Sequence, residues 1–409
     1  MRRSRRRIKI VSVFCVLSVV ACGRSNPGAP SRAMPTAIAG KAGTPPTSER
    51  PDTLVSTTVR TPARGVPAAL AGMPPVLDPH DIYAADRANQ LSPVVRNFRS
   101  LVYVPNSQSD TVDVIDPTTY RIVAHFAVGA LPQHVVPAWD LKTLYVTNDQ
   151  GNSLTPINPA TGQPGPAIPV EDPYNMYFTP DGKDAIVVSE GLERLDFRDA
   201  HTFKLANSLH LDCLGIDHLD FSGSGTYLIA SCEFSGRIVK VDVETHHVIA
   251  IQTLNSGNAK PQDVKVDPTG HTFYVADANR GGVYVVNGDT FAVTGFVSTG
   301  AGAHGLYVSR DSKVLYVTNR AAGTISLLQF ATSTVTKTWV IPGGSPDMGG
   351  LSADGTKLWI SGRYNDAVYV IDTTTGALLH TINVGAGPHG LCVYPQPGRY
   401  SLGHTGIFR

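Results

Sequence analysis

The 409-residue chain has no apolar run that stands out as a membrane span; its N-terminal stretch, Ile10–Ala21, is about 12 residues against the ~20 a spanning helix needs. It has almost no net charge, since 34 Lys and Arg meet 33 Asp and Glu. Its basic residues form no stripe and no aromatic-basic alternation, so no nucleic-acid footprint is present. Cysteine is scarce, at five. The signatures that announce common chemistries are missing too: there is no Gly-x-Ser-x-Gly elbow, phosphate-binding loop, His-Glu-x-x-His or Cys-x-x-Cys-His. That argues against the corresponding nucleophilic, nucleotide, zinc-protease and covalent-haem mechanisms. The absence of a 3.6-residue apolar period excludes a helical solenoid.

What the chain does have is repetition. Aligning the residue that opens each innermost strand gives His134, Asn175, His218, Asp263, Gly305, Met348 and Gly390, in steps of 41, 43, 45, 42, 43 and 42. Units of about 40–45 residues with several short strands are the mark of propeller blades. The strands are rich in aromatic and β-branched residues, as in Tyr274-Val275-Ala276-Asp277. Asp181-Gly182, Ser224-Gly225, Thr269-Gly270 and Asp354-Gly355 supply the positive φ that tight hairpins require. Leu101–Val128 provides three outer strands with no inner strand before them, and Gly390–Tyr394 is an inner strand with no outer ones after it. Pairing first with last predicts an all-β, seven-bladed β-propeller over 101–394 with no exposed sheet edges.

Tyr145-Val146-Thr147-Asn148, Tyr316-Val317-Thr318-Asn319, Val114-Ile115-Asp116 and Gly387-Pro388-His389-Gly390 recur in register, and through them residues 100–395 resemble the YVTN-repeat β-propeller family. The resemblance implies a secreted or envelope protein of undefined biochemistry, related in shape to haem d1-binding and lactonase propellers. The third and fourth blades depart from the repeat, at Val187–Glu190 and Ile229–Cys232.

Residues 1–21 read as a signal peptide: a basic segment precedes the short apolar stretch. Val19-Val20-Ala21-Cys22 resembles a bacterial lipobox, which implies cleavage, acylation of Cys22 and anchoring to the cell membrane, facing the periplasm or cell exterior. Ser4–Lys9 also resembles a twin-arginine export motif, against the alternative of an ordinary basic region. Residues 22–77, rich in Pro, Ala, Thr, Ser and Gly, are expected to form a tether. The lead-in 78–100 is expected to carry a short helix, Asp81–Asn89, with Asp78 as N-cap and Pro79 at the first helical position. The tail 395–409 is expected to pack across a face or the rim.

In an oxidising compartment Cys213 and Cys232, at one face of the fourth blade, are expected to pair as a disulfide. The loops entering the inner strands gather His134, Asp217, His218, Asp263, His304, Asp347 and His389 at one mouth of the channel. His304, Asp347, His389 and His134 come from consecutive blades and, with His218, are candidate ligands for a divalent metal or an acid and base. Equally, a repeated unit lines a pore with polar residues for structural reasons alone. Arg280, Arg320 and Arg363 are candidates to clamp an anion, together with Asp217 and Asp263 as ligand-binding residues. Two functions stay open. One is a membrane-anchored module that binds an envelope protein, peptide or glycan through its top face. The other is a metal- or cofactor-dependent enzyme, hydrolase/lactonase-like or redox.

Overall fold

A computed structural model describes residues 68–409. The signal peptide, Cys22 and residues 22–67 of the expected tether lie outside the described residues. From 101 onward the chain forms seven antiparallel sheets arranged as a ring. The inner strands, by blade, are Cys392–Tyr394, Pro132–Pro137, Asn175–Phe178, Ile216–Phe221, Pro261–Val266, Ala303–Val308 and Pro346–Leu351. The ring closes as the sequence predicts: Cys392 and Val393 pair with Tyr103 and Val102, so the first blade takes its inner strand from the far end of the chain.

The repeated motif has a mechanical reason. Five inner strands break register near their start, between Pro132 and His134, Ile216 and Leu219, Pro261 and Val264, Ala303 and Leu306, and Pro346 and Gly349. A bulge leaves a backbone N–H without its ladder partner. A hydroxyl from the second strand takes that bond: Thr147 accepts from His134 N at 3.1 Å, Ser231 from His218 N at 3.1 Å, and Thr318 from Gly305 N at 2.8 Å. The Asn that follows ties the second strand to the third, Asn148 to Thr155 at 2.9 Å and Asn319 to Ser326 at 3.0 Å. The Asp of the Ile-Asp turn accepts backbone N–H groups two and three residues on, as Asp372 does from Thr375 at 2.7 Å. Alternate strand residues fill the space between blades, with Trp359, Tyr103, Tyr274 and Phe197 among the fully buried side chains. Each large apolar side chain so buried contributes about 1.5–3 kcal/mol.

Two expectations at the N-terminal side need correction. The helix expected at Asp81–Asn89 is one 3-10 turn, Ala84–Asp86, because Asp78 spends its carboxylate on His80 N at 2.8 Å and Asp81 spends its own on Tyr83 N at 3.0 Å. The end of the expected tether is already attached to the ring: Leu70 is buried and its N–H donates to Ser224 O at 2.8 Å.

Cys213 and Cys232 are bonded, with Cα atoms 5.7 Å apart and 19 residues apart in sequence. Closing a loop of that size restricts the unfolded chain by about 3 kcal/mol. Reduction is therefore expected to lower the thermal midpoint without opening the other blades, which a melt with and without reductant measures; an unchanged midpoint would refute the contribution.

Candidate functional site

The upper mouth and the channel beneath it are built by two positions of the repeat. The first is the residue following each second strand. Around the ring it is Ser107, Asp149, Glu190, Glu233, Ala278, Arg320 and Arg363. Three acids on blades 2 to 4 thus face two guanidiniums on blades 6 and 7, with uncharged residues between. Burial, then the charges of Asp217 and Glu233, pushes the Glu190 carboxyl up to about 9. Burial and the neighbouring Asp172 carboxyl bring Asp149 to about 7. Lys260 meets Glu233 at 2.8 Å.

The second is the head of each inner strand, where two adjacent positions bring imidazoles together: His134 and His218 at one, His304 and His389 at the one before it. His134, His218, His304 and His389 are all buried there. The structure brings His304 and His389 to 5.9 Å between ring centroids, His134 and His389 to 4.9 Å, and His134 and His218 to 5.4 Å. In the third blade the position of His134 is held by Asn175, and that shorter side chain leaves room for a fifth imidazole. The tail folds beneath the ring, pairs with the third inner strand through Phe178 N to Leu402 O at 3.0 Å and His404 N to Met176 O at 2.9 Å, and inserts His404 among the others. His404 lies 4.9 Å from His218 and 5.3 Å from His134 between centroids, and stacks on Tyr177 at 5.8 Å. Gly403, at φ +93°, permits the approach: a Cβ there would stand 2.6 Å from Met176 O. Arg409, buried over Tyr83 and 3.3 Å from Asp220, fastens the end of the tail.

Charge in the channel is settled by burial. Burial holds the imidazoles of His134, His304, His389 and His404 well below their usual value, and neighbouring cationic groups add to it. His218 is the exception. Burial pulls it down, but Asp217, whose Oδ1 is 2.9 Å from His218 Nδ1, then Asp263 and Glu233, outweigh that and raise it. Asp347 is held low against its own burial by Arg320 at 3.3 Å, His304 and Arg363 at 3.8 Å.

Several candidate roles change on this geometry. Asp347 belongs to an ion-paired knot, accepting from His389 Nδ1 at 2.6 Å beside both guanidiniums, so the expected His304–Asp347–His389–His134 ligand arc does not present its carboxylate as a free donor. His304 faces Met348 Sδ at 3.0 Å. Asp263 is a staple between blades, its oxygens accepting from Val264 N and Leu306 N at 2.8 Å each. Arg280 leaves the expected three-arginine clamp: its guanidinium lies 3.8 Å over the Phe296 ring of its own blade. Arg320 and Arg363 remain at the mouth, beside Tyr364.

The chain belongs to the YNCE-like beta-propeller family, whose match spans residues 58–398. No protein among those of curated function matches it. Solved structures share the fold. The hydrazine synthase of Kuenenia stuttgartiensis superposes with a TM-score of 0.58 at 18% identity, over 68% of this chain and 93% of that one. A functionally unknown protein from Desulfotomaculum acetoxidans DSM 771 gives 0.60 at 16% identity, over 72% and 98%. Dihydro-heme d1 dehydrogenase NirN in complex with DHE gives 0.54 at 14% identity, over 80% and 78%.

Proposed function

We propose that this propeller is an exported, lipid-anchored binding module that engages a ligand carrying both charge signs, such as a peptide segment of an envelope protein, at its upper mouth. The division of side-chain type at one repeat position carries the reading: the carboxyls of Asp149, Glu190 and Glu233 on one side, crowded enough that Glu190 holds its proton until a cationic group approaches, and the guanidiniums of Arg320 and Arg363 on the other. Tyr364, 68% exposed, and Phe234, 62% exposed, add apolar surface on the blades of either half. Exposed aromatics next to opposed charges suit recognition of a chain segment, the aromatics giving contact area and the charges fixing its direction. The lipobox-like run ending at Cys22 and the basic-apolar start support the address. Unpaired imidazole nitrogens beneath the mouth favour a second reading, in which the channel serves a metal-dependent hydrolase/lactonase-like or redox enzyme.

The test uses fluorescence anisotropy with three peptide pools of equal length, acidic, basic and mixed in charge. The mixed pool is expected to bind best, and Tyr364→Ala to weaken it about tenfold, a loss of ~1.4 kcal/mol. Equal binding of all three pools, or none, would contradict the reading. In cells, Cys22→Ala is expected to move the protein from the membrane to the soluble fraction.

A further inference from the structure

We propose that His134, His218 and His404 form a binding site for one divalent first-row transition-metal cation on the channel axis. Each of the three offers a ring nitrogen, and these atoms all lie within 4.8 Å of one another. Imidazole ligands around a metal at 2.0–2.1 Å stand about 3.4 Å apart in a tetrahedral set. Small ring rotations therefore close the set.

The surroundings of the rings are those of metal ligands. A ligating His normally donates its other N–H to a carbonyl or carboxylate, which fixes the tautomer and leaves a lone pair toward the metal. His134 Nδ1 donates to Tyr174 O at 3.0 Å; His218 Nδ1 lies 2.9 Å from Asp217 Oδ1, at ion-pair distance but not aligned as a hydrogen bond, and a small ring rotation would align it. Their Nε2 atoms, and that of His404, are buried and have no hydrogen-bond partner among the described residues. A buried polar atom left unpaired costs about 1–3 kcal/mol, so three such atoms on rings whose nitrogens approach within 4.8 Å call for a shared partner. Asn175 Nδ2 lies 3.0 Å from His404 Nδ1. Ligation through His404 Nε2 requires the ring proton to leave that nitrogen, for Nδ1 or for solvent.

The donor set selects the metal. Three imidazole nitrogens with no thiolate suit Zn, Cu, Ni or Fe and disfavour Mg and Ca, which take oxygen. Three protein ligands leave a coordination position open, as in catalytic rather than closed structural sites. The tail lies across the lower end of the channel, so a cation reaches the site from the upper mouth, past Glu190 and Glu233. The site is independent of what that mouth binds: two of its ligands belong to the ring and the third to the tail.

Full-length protein stripped with chelator is titrated with Co²⁺, read by its visible d–d absorption, and with Zn²⁺, read by elemental analysis and by the thermal midpoint. Wild type is expected to take up one equivalent and to melt higher with Zn²⁺. His404→Ala and His134→Ala are expected to lose the Co²⁺ spectrum, while His247→Ala, on the surface, keeps it. Asp217→Asn, which retains every ligand, is expected to weaken Co²⁺ binding 10–100-fold, as loss of a partner behind a ligating His does. Folding of each variant is checked by near-ultraviolet circular dichroism. Folded wild type that takes up no Co²⁺, or uptake shared unchanged by His404→Ala and His134→Ala, would overturn the proposal. If both alanine variants fail to fold, an Asp217→Asn affinity equal to wild type overturns it as well.

Discussion

Glu190→Gln is expected to stabilise the protein by about 2–4 kcal/mol at pH 8, and by almost nothing at pH 4, where the carboxyl is protonated in both states. Burial first, then Asp217, Glu233, Asp149 and Asp172, raises the folded-state value of Glu190 to about 9 from an ordinary 4.5. A group whose value rises on folding contributes fully below its unfolded value, and that contribution drains away as the pH climbs toward the folded one. Between pH 4.5 and 8 the ceiling is about 5 kcal/mol, at ~1.36 kcal/mol per unit, and the solvent at the mouth reduces it. Gln keeps the shape and removes the charge. Denaturant unfolding of both proteins from pH 4 to 8 checks the sign; a difference that shrinks as pH rises would refute the strained carboxyl. The same strain makes the acidic half of the mouth an attractor for a cationic group.

Gly403→Ala is expected to detach the tail. The residue stands at φ +93°, which L side chains rarely adopt, and its added Cβ would meet Met176 O and Tyr177 Cα, both backbone atoms, at 2.6 Å. Neither can yield without disturbing the third inner strand, so about 2–4 kcal/mol of tail docking is at stake, a strained φ and a backbone clash together. Hydrogen exchange reads the result directly. The Phe178 and His404 amides, which bond Leu402 O and Met176 O in the native protein, should lose protection while Val102 and Val264 in the ring keep theirs. Retained protection at Phe178 would show that the tail docks by other means.

Ring closure was legible because the repeat is in register: once His134, His218, Gly305 and Gly390 are aligned, the strand missing at one end is visibly present at the other. The convergence of imidazoles was legible for the same reason, since equivalent or adjacent positions on the blades share one level of the channel. The partners of each side chain were not. Arg280 occupies a position that faces the mouth in sequence logic, yet Phe296 across its own blade offers a ring face at 3.8 Å and takes it. Asp263 reads as a mouth carboxylate, but an unpaired backbone N–H on the next blade, at Leu306, claims it. His404 lies in a segment without alternation, and its place depends on Gly403 fitting against Tyr177, a contact between residues more than two hundred positions apart. The one available signal was Asn175, a shorter polar side chain between the blades of His134 and His218, which hydrogen-bonds His404.

The central claim is that the tail seals the ring and completes an imidazole cluster inside it. Anomalous diffraction from crystals of the full protein grown with Co²⁺ tests it most directly. The account predicts one strong peak on the ring axis, about 2.1 Å from Nε2 of His134, His218 and His404. Peaks confined to surface histidines, or a channel from which His404 is withdrawn, would contradict it.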